Sequence, residues 1–131
     1  MSAAAPGSPR RALVVDDDER VRDTVLTMLS TLGYETEGLA LPSEALARAG
    51  LSGVEFDLLL VDVILPEMTG LQLARLLVER WPRLKVIYAS GYASASVMAP
   101  GAVVPGAAFV AKPFSTADLA HAAEDVTRLA A

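Results

Sequence analysis

Apolar positions along the chain gather into five short runs, and each run is followed by a stretch with helical spacing. The first run, Ala12 to Val15, has the β-branched and aliphatic character of a buried strand. It stops at Asp16-Asp17-Asp18-Glu19, after which apolar residues recur at Val21, Val25, Leu26, Met28, Leu29 and Leu32. That spacing predicts an amphipathic helix capped by Asp18, with Gly33 just beyond its end. Tyr34 to Gly38 reads as a weaker strand, and Pro42-Ser43-Glu44 opens a second helix that runs to about Ala49. Leu58 to Val61 is apolar without alternation, the mark of a strand buried on both faces in a parallel sheet. A third helix is predicted from about Thr69 to Arg80, strands over Leu84 to Ala89 and Ala107 to Val110, and a final helix from Thr116 to Leu129.

Strand and helix thus alternate, the pattern of an open α/β sandwich with right-handed crossovers. One segment breaks the rhythm: Pro100-Gly101 and Pro105-Gly106 leave room for only a turn or two of helix around residues 94–99. No internal repeat is visible, and 131 residues suit a single core. Residues 1–10 read as a disordered leader and residues 11–131 as the domain.

Composition narrows the function. A net charge of −5 disfavours a nucleic-acid-binding face, which needs clustered cations. The absence of cysteine excludes disulfides and thiolate metal sites, and the single histidine, His121, excludes a histidine-rich one. No apolar run approaches the roughly 18 residues of a membrane span, and Arg10 and Arg11 fall after the small-residue leader rather than before an apolar stretch. A cytoplasmic protein with no membrane contact is the expectation.

Chemistry enters at the strand ends. In a parallel α/β sheet, ligands bind beyond the carboxyl ends of the strands, near the point where strand order reverses. This chain places Asp16 and Asp17 after strand one, Asp62 after strand three, Ser90 after strand four and Lys112 after strand five. Carboxylates about 4 Å apart repel by roughly 4 kcal/mol per pair at an effective dielectric near 20, so a cation is required. Mg²⁺ prefers one or two carboxylates, waters and phosphate oxygens, and Lys112 adds a fixed positive charge. Such a set suits phosphoryl transfer, with Asp62 as a nucleophile that forms an acyl phosphate. Alone, each element has a plainer reading as a solvated turn, a helix cap or a loop residue; together and in order they make a site.

The residues that carry this site resemble the receiver domains of response regulators and hybrid histidine kinases. They are Leu13 to Glu19, Asp57 to Gly70, Ser90-Gly91-Tyr92, and Phe109 to Phe114, and the resemblance spans about Ala12 to Leu129. It implies the flavodoxin-like (βα)5 sandwich with strand order 2-1-3-4-5. It implies Asp62 as phosphoacceptor, Asp17 as a direct Mg²⁺ ligand, Asp16 acting through metal-bound water, and the backbone carbonyl of Ile64 as a further ligand. Ser90 stands at the position of the conserved hydroxyl, Phe109 at that of the switch aromatic, and Lys112 at that of the lysine that precedes a cis proline, here Pro113. The implied partners are a histidine kinase or a histidine phosphotransfer protein, together with a downstream protein. Ser90 to Ala93 and the Pro105-Gly106 approach to strand five are most similar to receivers at the carboxyl end of hybrid kinases. With nothing after the last helix, a stand-alone receiver or an excised portion of a longer chain is expected. The alanine-rich last helix suggests a monomer.

Two rival readings remain open at this point. Asp16-x-Asp18 echoes the signature of haloacid-dehalogenase-type phosphatases, in which the second aspartate is the general acid, although Glu19-Arg20 departs from that signature. A pseudo-receiver would bind partners without phosphorylation. Ile64 and Tyr92 stand where the family tunes phosphate lifetime, and Ile64 cannot orient an attacking water, so slow self-hydrolysis is expected.

Overall fold

The computed structural model describes residues 10–91 and 102–129. Within them, β1 (Arg10–Val15), β2 (Tyr34–Leu39), β3 (Leu58–Asp62), β4 (Lys85–Ser90) and β5 (Ala108–Ala111) form one parallel sheet. Its order is β2-β1-β3-β4-β5. Four helices alternate with the strands: α1 (Glu19–Thr31), α2 (Pro42–Ala49), α3 (Gly70–Arg80) and α4 (Thr116–Leu129). The sequence-based order and element types hold. The short helix expected around residues 94–99, and Tyr92, lie outside the described residues.

The helix ends obey local chemistry. Asp18 caps α1 by accepting from the backbone N–H of Arg20 and Val21 at 2.9 and 3.1 Å. Gly33, at φ +99°, supplies the left-handed turn after α1. Thr69 and Gln72 form a reciprocal capping box at the start of α3. β1 begins at Arg10, two residues before the apolar run, because Arg10 and Arg11 pair in register with Tyr34 and Glu35 of β2. Backbone pairing needs no apolar side chain at the fringe of the core.

Each face of the sheet is covered. Leu13, Val15, Leu59 and Val61 pack with Ala45 and Ala49 of α2 and with Leu71, Ala74 and Leu77 of α3. On the other face, Ala12, Val14, Leu58 and Leu60 meet Val25 and Leu29 of α1 and Leu119 and Val126 of α4. β3 is buried along its whole length, which explains its unbroken apolar run. Trp81 closes the bottom of α3. Its indole Nε1 donates to Val54 O at 2.8 Å, and its ring stands edge-on to Phe56 at 5.3 Å. It is the loop anchor that its place beside Pro82 suggests.

Candidate functional site

The strand order puts β1 and β3 side by side, although the chain visits β2 between them, so the carboxyl ends of β1 and β3 flank the point where strand order reverses. A series of backbone bonds then aligns the rim. Val63 N donates to Ala89 O at 3.1 Å, holding the end of β3 against β4, and Lys112 N donates to Ser90 O at 2.9 Å, holding the end of β5 against β4. Asp62 is in register with Ala89, and Ser90 with Ala111. Residues up to 96 positions apart in sequence therefore meet at one edge.

Asp16, Asp17 and Asp62 each present a carboxylate oxygen, and these oxygens lie within 4.8 Å of one another. Lys112 reaches in from β5: its Nζ donates to Asp62 Oδ2 at 2.7 Å and to Asp16 Oδ2 at 3.2 Å. Asp16 is 1% exposed and Asp62 8%, whereas Asp17 is open to solvent. Burial pushes the Asp16 carboxyl above its usual range, against the opposing pull of the Asp18 backbone N–H and the Lys112 ammonium. For Lys112 burial is again the largest single effect, but the outcome differs. Burial works against its charge, but the bond to Asp62 and the field of both acids prevail and hold the ammonium more firmly protonated than usual.

Three carboxylates against one ammonium carry a formal excess of two negative charges, the amount a divalent cation balances. The donors are all hard oxygens, and one side of the cluster is open at Asp17, so the residues fit Mg²⁺ with room for water.

The loop after β3 is tightly folded. Asp62 Oδ1 accepts from Ile64 N at 3.2 Å, and Gly70 N donates back to Val63 O at 2.8 Å. A Cβ at Gly70 would collide with the Asp62 carbonyl oxygen, so only glycine admits this closure. Ile64 points outward, 41% exposed. Glu67 adopts φ +70°, which is rare for a residue with a side chain, and its carboxylate accepts from Ser43 N at 2.8 Å and Ser43 Oγ at 3.0 Å at the head of α2.

The expected hydroxyl and aromatic occupy neighbouring strands. Ser90 ends β4 half-buried, and Phe109 on β5 is 43% exposed. The Lys112–Pro113 bond is cis. Asp18 points away from the acidic cluster into the α1 cap, so it is not placed as a general acid, and the phosphatase reading loses its second aspartate. His121 is exposed on α4.

Two contributors were not apparent from sequence. Tyr88 is fully buried beneath the rim, with its ring 5.2 Å from that of Phe109, and its hydroxyl accepts from Val104 N at 3.2 Å. Burial raises the pKa of this phenol. A hydroxyl within the otherwise aliphatic run of β4 was the available signal. Arg22 Nη1 donates to Asp16 O at 2.8 Å, and its position four residues after Asp18 on α1 could have pointed toward the acidic turn.

Comparison with known proteins agrees with this geometry. Residues 12–124 match the response regulator receiver domain. The chain is 31% identical over 115 residues to the response regulator receiver protein CpdR of Brucella abortus, covering 88% of this chain and 94% of that protein. It is 33% identical over 114 residues to the sensor kinase CckA of the same organism, covering 87% of this chain but only 12% of that protein. Among solved structures, a CheY-like receiver domain protein from Methanospirillum hungatei superposes with a TM-score of 0.79 at 33% identity, covering 94% of this chain and 97% of that one. By sequence and fold alike, this chain belongs to the response regulator receiver domain family, the phosphoacceptor modules of two-component signalling.

Proposed function

We propose that Asp62 is the phosphoacceptor, and that a histidine kinase or histidine phosphotransfer protein is the donor. The observation that carries this reading is the Lys112 ammonium held between Asp62 and Asp16 at the sheet's carboxyl edge. An oxygen of Asp62 attacks phosphorus as the P–N bond of the donor's phosphohistidine breaks. The imidazole stays with the donor, and Asp62 becomes a mixed acyl phosphate. The nucleophile is already oriented, because Ile64 N and Lys112 Nζ each hold one of its oxygens.

Asp16, Asp17, Asp62 and the carbonyl of Ile64 would hold Mg²⁺, which when bound would supply positive charge to offset that of the transferring group. Lys112 provides the second positive charge and exchanges its bond to Asp62 Oδ2 for one to a phosphoryl oxygen. Ser90 offers its hydroxyl to another. Phe109 then leaves its exposed position for the space beside Ser90 and reshapes the adjoining surface, which is the signal to a downstream protein. The donor approaches over the apolar recess of about 480 Å³ beside Lys112, walled by Val21, Val25, Met28, Pro113 and Phe114. The domain acts as a monomer in the cytoplasm, and none of its described helices is long and apolar enough to cross a membrane.

Incubation with acetyl phosphate and Mg²⁺, followed by peptide mass spectrometry, tests the reading. Phosphate on Asp62, absent from Asp62→Asn, is the expected result. Modification of Asp16 would favour the phosphatase reading, and no modification at all would favour a pseudo-receiver.

A further inference from the structure

The carboxylate that must face a metal most openly is also the least anchored. Asp17 is exposed, and its side chain makes no hydrogen bond to the described residues, unlike Asp16 and Asp62. Its direction is therefore set by its backbone. That backbone leaves the sheet at Asp16, where pairing of β1 with β3 has already ended at Val15.

Three bonds fix the departure. Asp16 N donates to Leu39 O at 3.1 Å, Asp18 N donates to Asp16 Oδ1 at 2.9 Å, and Arg22 Nη1 donates to Asp16 O at 2.8 Å. The last of these holds the carbonyl of the peptide that joins Asp16 to Asp17. Fixing that carbonyl fixes the plane of the peptide, and with it the direction in which Asp17 leaves its backbone.

Arg22 reaches this carbonyl through a passage that Gly38 leaves open. A Cβ at Gly38 would lie 2.9 Å from Leu26 Cδ1 and 3.1 and 3.2 Å from Arg22 Cδ and Cγ. Gly38 is not at a left-handed backbone position, so its lack of a side chain serves the room it gives to α1.

We infer that Arg22 is a positioning residue for the metal centre, orienting the Asp16–Asp17 peptide so that Asp17 faces the bound cation, with Gly38 holding the channel for its stem. The inference rests on the proposed Mg²⁺ role of this cluster. It makes an unusual prediction of sign. By charge alone, a guanidinium beside a divalent site repels the metal, and its removal should tighten binding. By position, its removal should loosen binding.

Isothermal titration of the metal-free full chain with MgCl₂ separates the two. Arg22→Met keeps the stem and removes the donor; it is expected to weaken Mg²⁺ binding about three- to tenfold, the range of one lost hydrogen bond. Gly38→Ala retains every charge and is expected to weaken binding at least about twofold in the same direction. Circular dichroism and thermal unfolding without metal establish that each variant is folded, and Gly38→Ala decides the matter should Arg22→Met not fold. Unchanged or tighter Mg²⁺ binding in the folded variants overturns the inference. Absence of Mg²⁺ binding by the wild-type chain would instead overturn the metal reading on which it rests.

Discussion

Lys112→Met isolates the electrostatic tension at the phosphoacceptor edge. At 2.7 Å from Asp62 and 3.2 Å from Asp16, the ammonium attracts them by about 6 and about 5 kcal/mol at an effective dielectric near 20. Most of that gross attraction offsets the cost of removing three charged groups from water. The net loss on removing one partner of a buried pair is about 3–5 kcal/mol. Because the Lys112 side chain is 24% exposed and water screens part of its charge, the low end applies, about 3 kcal/mol. For a domain of this size the unfolding midpoint should fall by about 10 °C in chelator. Mg²⁺ should recover more of that loss in the variant than it adds to the wild type, since the metal takes over the missing positive charge. Asp62→Asn in the Lys112→Met background should restore stability, because it removes one of the two carboxylates left facing each other. Urea unfolding with EDTA or with MgCl₂, arranged as a double-mutant cycle, measures each of these quantities. A Lys112→Met protein within about 0.5 kcal/mol of wild type without metal, or no rescue by Asp62→Asn, would refute the reasoning.

Gly70→Ala should destabilise by about 1–3 kcal/mol and also slow phosphorylation, because its Cβ meets the Asp62 backbone rather than a movable side chain; chemical unfolding and acetyl phosphate labelling check both effects. Ile64→Asn should shorten the lifetime of the phosphorylated state in Mg²⁺, since an amide at this exposed position can orient water where Ile64 cannot; a longer lifetime would contradict this. Thr69→Ala should cost about 1 kcal/mol by removing the α3 cap, read from the shift in urea midpoint. Asp118 accepts from the Ser115 backbone N–H, and bonds from the Ser115 backbone and hydroxyl hold its carboxyl below 3.8. A carboxyl with a lowered folded pKa stabilises above its unfolded value and loses that contribution as pH falls through the folded value. Asp118→Asn should therefore flatten the decline of stability below about pH 4, measured by thermal unfolding across an acid series.

Local chemistry wrote most of the elements. Asp18 before an apolar-periodic stretch marked the start of α1, and Gly33 marked its end. Pro42 opened α2, and the unbroken apolar run of β3 announced a strand covered on both faces. Every strand observed was expected within two residues of its ends; β1 extends back to Arg10, where backbone pairing outlasts the apolar side chains, and β4 and β5 are each shifted one residue toward the carboxyl end. The acids, the hydroxyl and the lysine were legible as a set, because a parallel sheet delivers all its strand ends to one side.

Sequence by itself thus determined which residues end the strands, since hydrophobic period and the succession of elements are properties of the chain, whereas the order of strands in the sheet was expected only from the family resemblance. Only the tertiary structure decided how they touch. Lys112 bridges Asp62 and Asp16 rather than one of them, and Asp18 turns away into a cap. Tyr88 uses its hydroxyl to hold Val104, Glu67 takes a left-handed backbone to reach Ser43, and Arg22 passes Gly38 to reach a carbonyl of the acidic turn. These contacts join residues that share no periodicity. They depend on the direction of individual side chains after the sheet has assembled, and on which buried polar groups are then left needing a partner.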